Sequence, residues 1–170
     1  MKSNELLLDA FGRVREIVDV TLDGLDDGTL VRRSAGNGNS IAWLIWHLSR
    51  VEDTQVASAA GLPQVWTSQG FAGRFGLPLP EHDTGYGHSS DNVDAVRAPA
   101  ELLADYYEAV HRQTVEVLNS LGDDDLDRVV DTRWDPPVTF GVRLVSTVAD
   151  CLQHVGQAAY ARGLKDGGRA

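Results

Sequence analysis

A single cysteine, Cys151, rules out an intramolecular disulfide and fits a reducing compartment. Lysine is almost as scarce: Lys2 and Lys165 stand alone, and 15 basic side chains face 25 acidic ones. The net charge of -10, with no cluster of Lys and Arg, argues against a nucleic-acid partner, whose phosphates require concentrated positive charge. No stretch reaches the ~18 apolar residues of a membrane span. The N-terminal residues carry no cleavable apolar signal, so a soluble, cytoplasmic protein with no membrane partner is expected. Strand signals are almost absent, with Arg128 to Thr132 the single candidate. No repeat, low-complexity tract or linker divides the 170 residues, which are read as one domain, 1–170.

What the sequence does contain is helical periodicity. Leu7, Phe11, Val14, Val18 and Leu22 recur at three- and four-residue steps and predict a first helix from about Ser3 to Leu25. Ser3 or Asn4 is its expected cap, and Gly24, Asp26, Asp27 and Gly28 its expected end. After a loop containing Gly36-Asn37-Gly38-Asn39, Ser40 is placed to cap a second helix from about Ile41 to Ala60, stopped by Gly61 and Pro63. Its apolar stripe is Ile41, Leu44, Ile45, Leu48, Val51 and Ala59. Residues 62–98 are rich in Gly and Pro and carry Trp66, Phe71, Phe75 and Tyr86 without a period. So long a connection is usually functional, and its aromatics predict a crossover packed over one end of the molecule, with room for a short helix. A third helix is expected from about Pro99 to Leu121, with Leu102, Leu103, Tyr106, Val110, Val117 and Leu121 inward. An acidic turn, Asp123-Asp124-Asp125, follows, then an irregular stretch with Trp134 and Pro136-Pro137. A fourth helix, capped by Thr139, runs from about Phe140 to Leu164, with Gly163 or Gly167 near its end. The fold class is therefore all-α: a four-helix bundle with a long crossover between the second and third helices.

Asp150 and His154 stand one helical turn apart on the fourth helix, a spacing that lets both reach one ion. A wheel places Val142, Val145, Val148, Ala149, Leu152 and Ala159 on one side and Asp150, His154 and Gln157 on the other. His47 lies at the margin of the second helix's apolar stripe, beside Trp43 and Val51. Two histidines and a carboxylate converging from two helices form a facial site with open positions, suited to Zn, Ni, Fe or Mn. Spacing alone does not establish that the helices converge, and a solvated i, i+4 pair is the alternative. Trp43 and Trp46 are read as packing and dimer-facing aromatics, Glu52 and Asp53 as solvated charge, and Cys151 as packing. His82, His88 and His111 lack partners at ligand spacing, although His82 and His88 sit in the long loop.

The run Asn39-Ser40-Ile41-Ala42-Trp43-Leu44-Ile45-Trp46-His47-Leu48, followed by Glu52-Asp53, resembles the second-helix motif of the DinB/YfiT-like superfamily. His154-Val155-Gly156-Gln157-Ala158-Ala159-Tyr160-Ala161-Arg162-Gly163 resembles the motif of its last helix, about a hundred residues on. That resemblance implies a bundle with three metal ligands, one from the second helix and an HxxxH pair on the last. His47 matches the first ligand and His154 the final one, whereas Asp150 replaces the middle histidine, as in the similar mycothiol-dependent maleylpyruvate isomerase branch. A carboxylate there favours harder ions while keeping Zn feasible. The resemblance further implies a homodimer and a divalent metal (Zn or Ni foremost) that binds a low-molecular-weight thiol such as mycothiol for attack on an electrophile. Gln157 is read first as packing between helices and otherwise as a group that binds a ligand near the metal. The function expected is a metal-dependent thiol S-transferase or isomerase. The alternatives are a non-catalytic metal-binding or stress-response dimer, or a bundle whose metal site has degenerated at Asp150.

Overall fold

The computed structural model describes residues 1–33 and 37–166, so Gly36 of the expected loop and Gly167 lie outside the described residues. Among the described residues the elements are, in chain order, α1 (Ser3–Leu22), α2 (Asp27–Leu30), α3 (Ile41–Ala60), α4 (Val65–Ser68), α5 (Phe71–Phe75), α6 (Ser90–Ala95), α7 (Ala100–Ser120), a 3-10 turn (Asp123–Asp127), β1 (Val129–Asp131), β2 (Val138–Thr139) and α8 (Phe140–Asp166). The architecture is all-α, with the long helices α1, α3, α7 and α8 as the bundle. α3 packs on α7 and α8, and α1 packs on the same two helices. Among the described residues no helix is long and apolar enough to cross a membrane.

The helix ends show which local signals prevail. Ser40 caps α3 as expected, its hydroxyl accepting from the Trp43 N–H at 3.2 Å, and Gly61 closes the helix in the left-handed region at φ 69°. Thr139 receives the Val142 N–H at the start of α8. α1 starts as expected, but Lys2 takes the cap position because the Glu5 carboxylate reaches back to its N–H at 2.9 Å. α1 also stops at Leu22 rather than Leu25. Asp26 then caps a further turn, α2, through Thr29, so these residues begin a helix as well as follow one. β1 falls within the expected strand and pairs antiparallel with β2, which the sequence did not signal.

The α1 stripe is buried as expected. Three other readings are corrected. α3 is enclosed nearly all round by α7, α8 and the crossover, so Trp43 and Trp46 are 5% and 1% exposed and cannot face a dimer partner. Glu52 and Asp53 are likewise buried, not solvated. On α8 the inward face is Phe140, Leu144, Val148, Cys151, Val155 and Ala158, while Val142, Val145 and Leu152 point outward. The helix carries two apolar stripes, and the wheel selected part of the wrong one.

The crossover covers the bundle with Trp66, Phe71 and Phe75, whereas Tyr86 is exposed, contrary to its expected packing. Asp53 fastens this layer. Its two oxygens accept from the Val65 and Trp66 N–H groups at 2.8 Å each, and the Tyr106 hydroxyl donates to Oδ2 at 2.9 Å. Arg50 donates to the Asp83 carbonyl, the Gln64 side chain and the Tyr106 oxygen while lying over the Trp66 ring. A buried charge is tolerated because almost every oxygen and N–H has a partner.

Glu52 behaves differently. It is buried among α3, α7 and α8 with a 2.8 Å bond from the Thr114 hydroxyl and a longer one, 3.9 Å, from the Cys151 thiol. Burial pushes its carboxyl up to about 7, against an ordinary 4.5. The folded pKa being raised, the stabilising protonated form is complete below pH 4.5 and is lost as pH rises through 7. Glu52→Gln should therefore gain on the wild type by about 2–3 kcal/mol between pH 5 and pH 8 in urea unfolding. A pH-independent difference between the two proteins would show that Glu52 ionises freely in the fold.

Candidate metal centre

His47 comes from the second turn of α3, and Asp150 and His154 from successive turns of α8, the helix packed against it. Each offers one ligand atom, and the three atoms lie within 4.8 Å of one another. Ligands of one ion bound at ~2.1 Å stand roughly 3.4–4.2 Å apart, so small side-chain rotations complete a shell. The structure thus brings Asp150 and His154, paired by helical spacing, together with His47 of the second-helix motif.

Each imidazole is held by its other nitrogen. His47 Nδ1 is 2.5 Å from the Thr84 carbonyl, which can only accept, so Nδ1 carries the proton and Nε2 presents a lone pair. His154 Nδ1 bonds Gln157 Oε1 at 3.1 Å, which leaves its Nε2 facing Asp150 Oδ1 at 3.7 Å. Such outer hydrogen bonds fix the tautomer and orientation of a ligating histidine. Burial lowers the His47 pKa, with His154 and His88 adding to the effect against the Thr84 bond and Asp150. The neutral ring, the form that binds metal, is thereby favoured. Asp150 Oδ2 is shielded from solvent yet has no hydrogen-bond partner. Such an orphan oxygen beside two free imidazole nitrogens is a donor set that fits a divalent cation.

The crossover lines the site. Trp43 stacks on His47 with ring centroids 4.5 Å apart, and His154 meets His47 edge-on at 4.6 Å. The Trp43 indole N–H donates to His88 Nδ1 at 3.0 Å, so His88 donates from Nε2 to Asp83 Oδ2 at 2.9 Å. Asp83 Oδ1 accepts from the Gly85 N–H. His88 thus belongs to the layer behind the centre, a loop contact that no helical period announces. Of the other histidines, His82 is exposed, and His111 is buried against Tyr107 on α7. Cys151 is wholly buried, in its expected packing role. Gln157 is exposed and borders a cavity of about 300 Å³ lined also by Asn39, Leu44 and Tyr160.

The family profile described as mycothiol-S-transferase matches residues 6–167, a span that includes all three candidate ligands. The chain belongs to the mycothiol-S-transferase family. The chain is similar in fold to a solved DinB-like protein from Bacillus cereus, 20% identical with a TM-score of 0.65, covering 95% of this chain and 92% of that one. That likeness concerns the fold alone. A conserved protein from Enterococcus faecalis is nearer, at 33% identity and a TM-score of 0.90 over 98% of this chain and 99% of that one. No curated protein matches significantly. Within the mycothiol-S-transferase family this chain presents a His/Asp/His set, with a carboxylate where the resemblance implied a third histidine.

Proposed function

We propose that this protein is a divalent-metal-dependent thiol S-transferase that joins mycothiol, or a closely similar low-molecular-weight thiol, to a small electrophile in the cytoplasm. The observation that carries this reading is the convergence of His47, Asp150 and His154 with both imidazole Nε2 atoms free. These three side chains would hold the ion, with Zn or Ni the best match to two nitrogens and one oxygen. When bound, the divalent ion would supply a Lewis acid that lowers the pKa of the thiol and favours its thiolate form.

The chain's own residues supply orientation and exclusion of water. The Thr84 carbonyl holds His47 in one tautomer, and Gln157 does the same for His154. Trp43 covers the His47 ring and keeps solvent from that side. The cavity bordered by Gln157, one helical turn on from His154, would take the polar arm of the thiol, with Asn39 and Gln157 as neutral hydrogen-bonding groups. In the transfer, the sulfur lone pair forms the new S–C bond while the leaving group departs with its electron pair.

The test is conjugation of mycothiol to a haloalkyl electrophile by metal-loaded protein, followed by mass spectrometry. The expected result is an S-conjugate formed well above the uncatalysed rate and reduced to background in His47→Ala. A metal-loaded protein that gives no conjugate with mycothiol or other small thiols would overturn the transferase reading and favour a non-catalytic metal-binding role.

A further inference from the structure

The rows of side chains that carry the metal ligands continue past them. On α8, Gln157, His154, Asp150, Thr147 and Arg143 succeed one another at steps of three and four residues, which makes one stripe of the helix. On α3, His47, Val51, Gln55 and Ser58 form a similar stripe that runs the opposite way along the seam. The two stripes meet again where Arg143 Nη1 donates to Gln55 Oε1 at 2.7 Å. That contact lies two helical turns, roughly 11 Å, along the seam from His47 and Asp150. It is on the side away from the Gln157 cavity.

Here the seam borders a cavity of about 280 Å³ whose lining is polar except for Ala59 and Val130. Arg143 comes to it from α8, and Arg133 from the segment after β1. The Asp131 carboxylate joins the two and is already fully engaged. Its Oδ1 accepts from the Arg133 backbone N–H at 3.0 Å and from Arg133 Nε at 2.9 Å. Its Oδ2 accepts from Arg133 Nη2 and Arg143 Nη2 at 2.8 Å each. Each guanidinium has five N–H donors, and Asp131 and Gln55 take two nitrogens of each, so donors remain on both. With Gln55 Oε1 occupied by Arg143, the Gln55 NH₂ adds to them, as do the hydroxyls of the exposed Ser58 and Thr132. Two arginines against one aspartate give the lining one net positive charge, in a chain of net charge -10. Surplus donors with positive charge bind an anion, and one net charge matches a carboxylate better than a doubly charged phosphate.

We propose that this cavity is a carboxylate-binding subsite, formed by Arg143, Arg133, Gln55 and Ser58, that holds the acidic end of the acceptor while its electrophilic carbon lies at the metal centre. The role rests on the transferase reading; the binding of a carboxylate does not. Three positions then follow one another along the α3–α8 seam: the thiol's polar arm at Gln157, the reacting atoms at the His/Asp/His set, and the acceptor's carboxylate at Arg143. Gln55 and Asp131 hold the Arg143 fork in place, so little side-chain entropy is lost when an anion binds. The acceptors that suit this arrangement are small electrophilic acids, with the carboxylate and the reacting carbon at opposite ends of a short chain.

NMR titration of the isotope-labelled full chain with sodium acetate, at constant ionic strength and without metal or thiol, tests the binding. Saturable shifts are expected at the Arg143 Nε–H and the Thr132 and Arg133 backbone amides, with none from acetamide. Arg143→Met should abolish them. Ser58→Glu, which sets a carboxylate on the rim and leaves the Arg143 and Asp131 bonds in place, should do so too, and it decides the matter should Arg143→Met fail to fold. Shifts that persist in Ser58→Glu, shifts scattered over the surface, or tighter binding of inorganic phosphate than of acetate overturn the subsite. The role is read from KM in the metal-loaded protein with mycothiol. Bromoalkanoates are expected to have KM about 10-fold below bromoalkanols of equal length, as a charge-assisted hydrogen bond provides, and Ser58→Glu should erase the difference. Equal KM values in the wild type overturn the role. Acetate binding in a chain that conjugates no acceptor at all contradicts the transferase reading and upholds the subsite.

Discussion

Asp53→Ala is expected to destabilise the protein by about 4 kcal/mol, the loss typical when one partner of a buried ion pair is removed. Four groups are stranded at once. The Val65 and Trp66 N–H groups lose their only 2.8 Å acceptors, and the Tyr106 hydroxyl loses its acceptor. Arg50, whose side chain is 0% exposed, keeps its charge without the carboxylate 3.5 Å away. Against a total stability of roughly 5–15 kcal/mol this loss leaves a marginal protein. Asp53→Asn should fall between the two, since its one oxygen can still accept from one of the amides. The measurement is urea unfolding of the three proteins. A loss below about 1 kcal/mol in Asp53→Ala, the range of a surface ion pair, would show that the network does not hold the crossover in place.

Gly85→Ala is expected to reduce metal affinity by about 10- to 100-fold, the range found when the outer partner of a metal-binding histidine is disturbed. Gly85 sits in the left-handed region at φ +91°, and a Cβ there would lie 2.7 Å from His47 Nδ1, 3.0 Å from Trp43 and 3.1 Å from Trp46. All three neighbours are buried and cannot withdraw, so the loop must move. The adjacent Thr84 carbonyl moves with it, and His47 loses the acceptor that fixes its tautomer. Gly87 provides the control. It is also left-handed, at φ +72°, but a Cβ there meets nothing within 4 Å. Gly87→Ala therefore carries comparable backbone strain without the clash and should bind metal like the wild type. Competition with a chromophoric chelator measures all three affinities, and equal values in the two variants would refute the role given to the Gly85 approach.

The parts legible in the sequence are those with a local physical cause. The α1 stripe, the Ser40 and Thr139 caps and the Gly61 stop each depend on a few neighbouring residues, and each is where the pattern places it. The convergence of His47, Asp150 and His154 was legible because one residue pair has helical spacing and the third stands in a motif, whereas their binding of a metal is the proposal to be tested. The failures have a common origin in the enclosure of α3. A wheel assumes one wet side, so Glu52 and Asp53 read as solvated, although both are buried. A signal was present: residues 41–48 are apolar all round except for His47, the mark of a central helix. On α8 the pattern was ambiguous because both the core stripe and the outward strip are apolar. The linkage from Trp43 through His88 to Asp83 joins residues up to 45 positions apart and has no local signature.

Elemental analysis of untagged protein, with His154→Ala alongside, tests the metal centre most directly. About one Zn or Ni ion per chain is expected in the wild type and none in His154→Ala, whose helical circular dichroism stays close to the wild type. Equal metal content in the two proteins, or no metal in the wild type even after reconstitution, would contradict it.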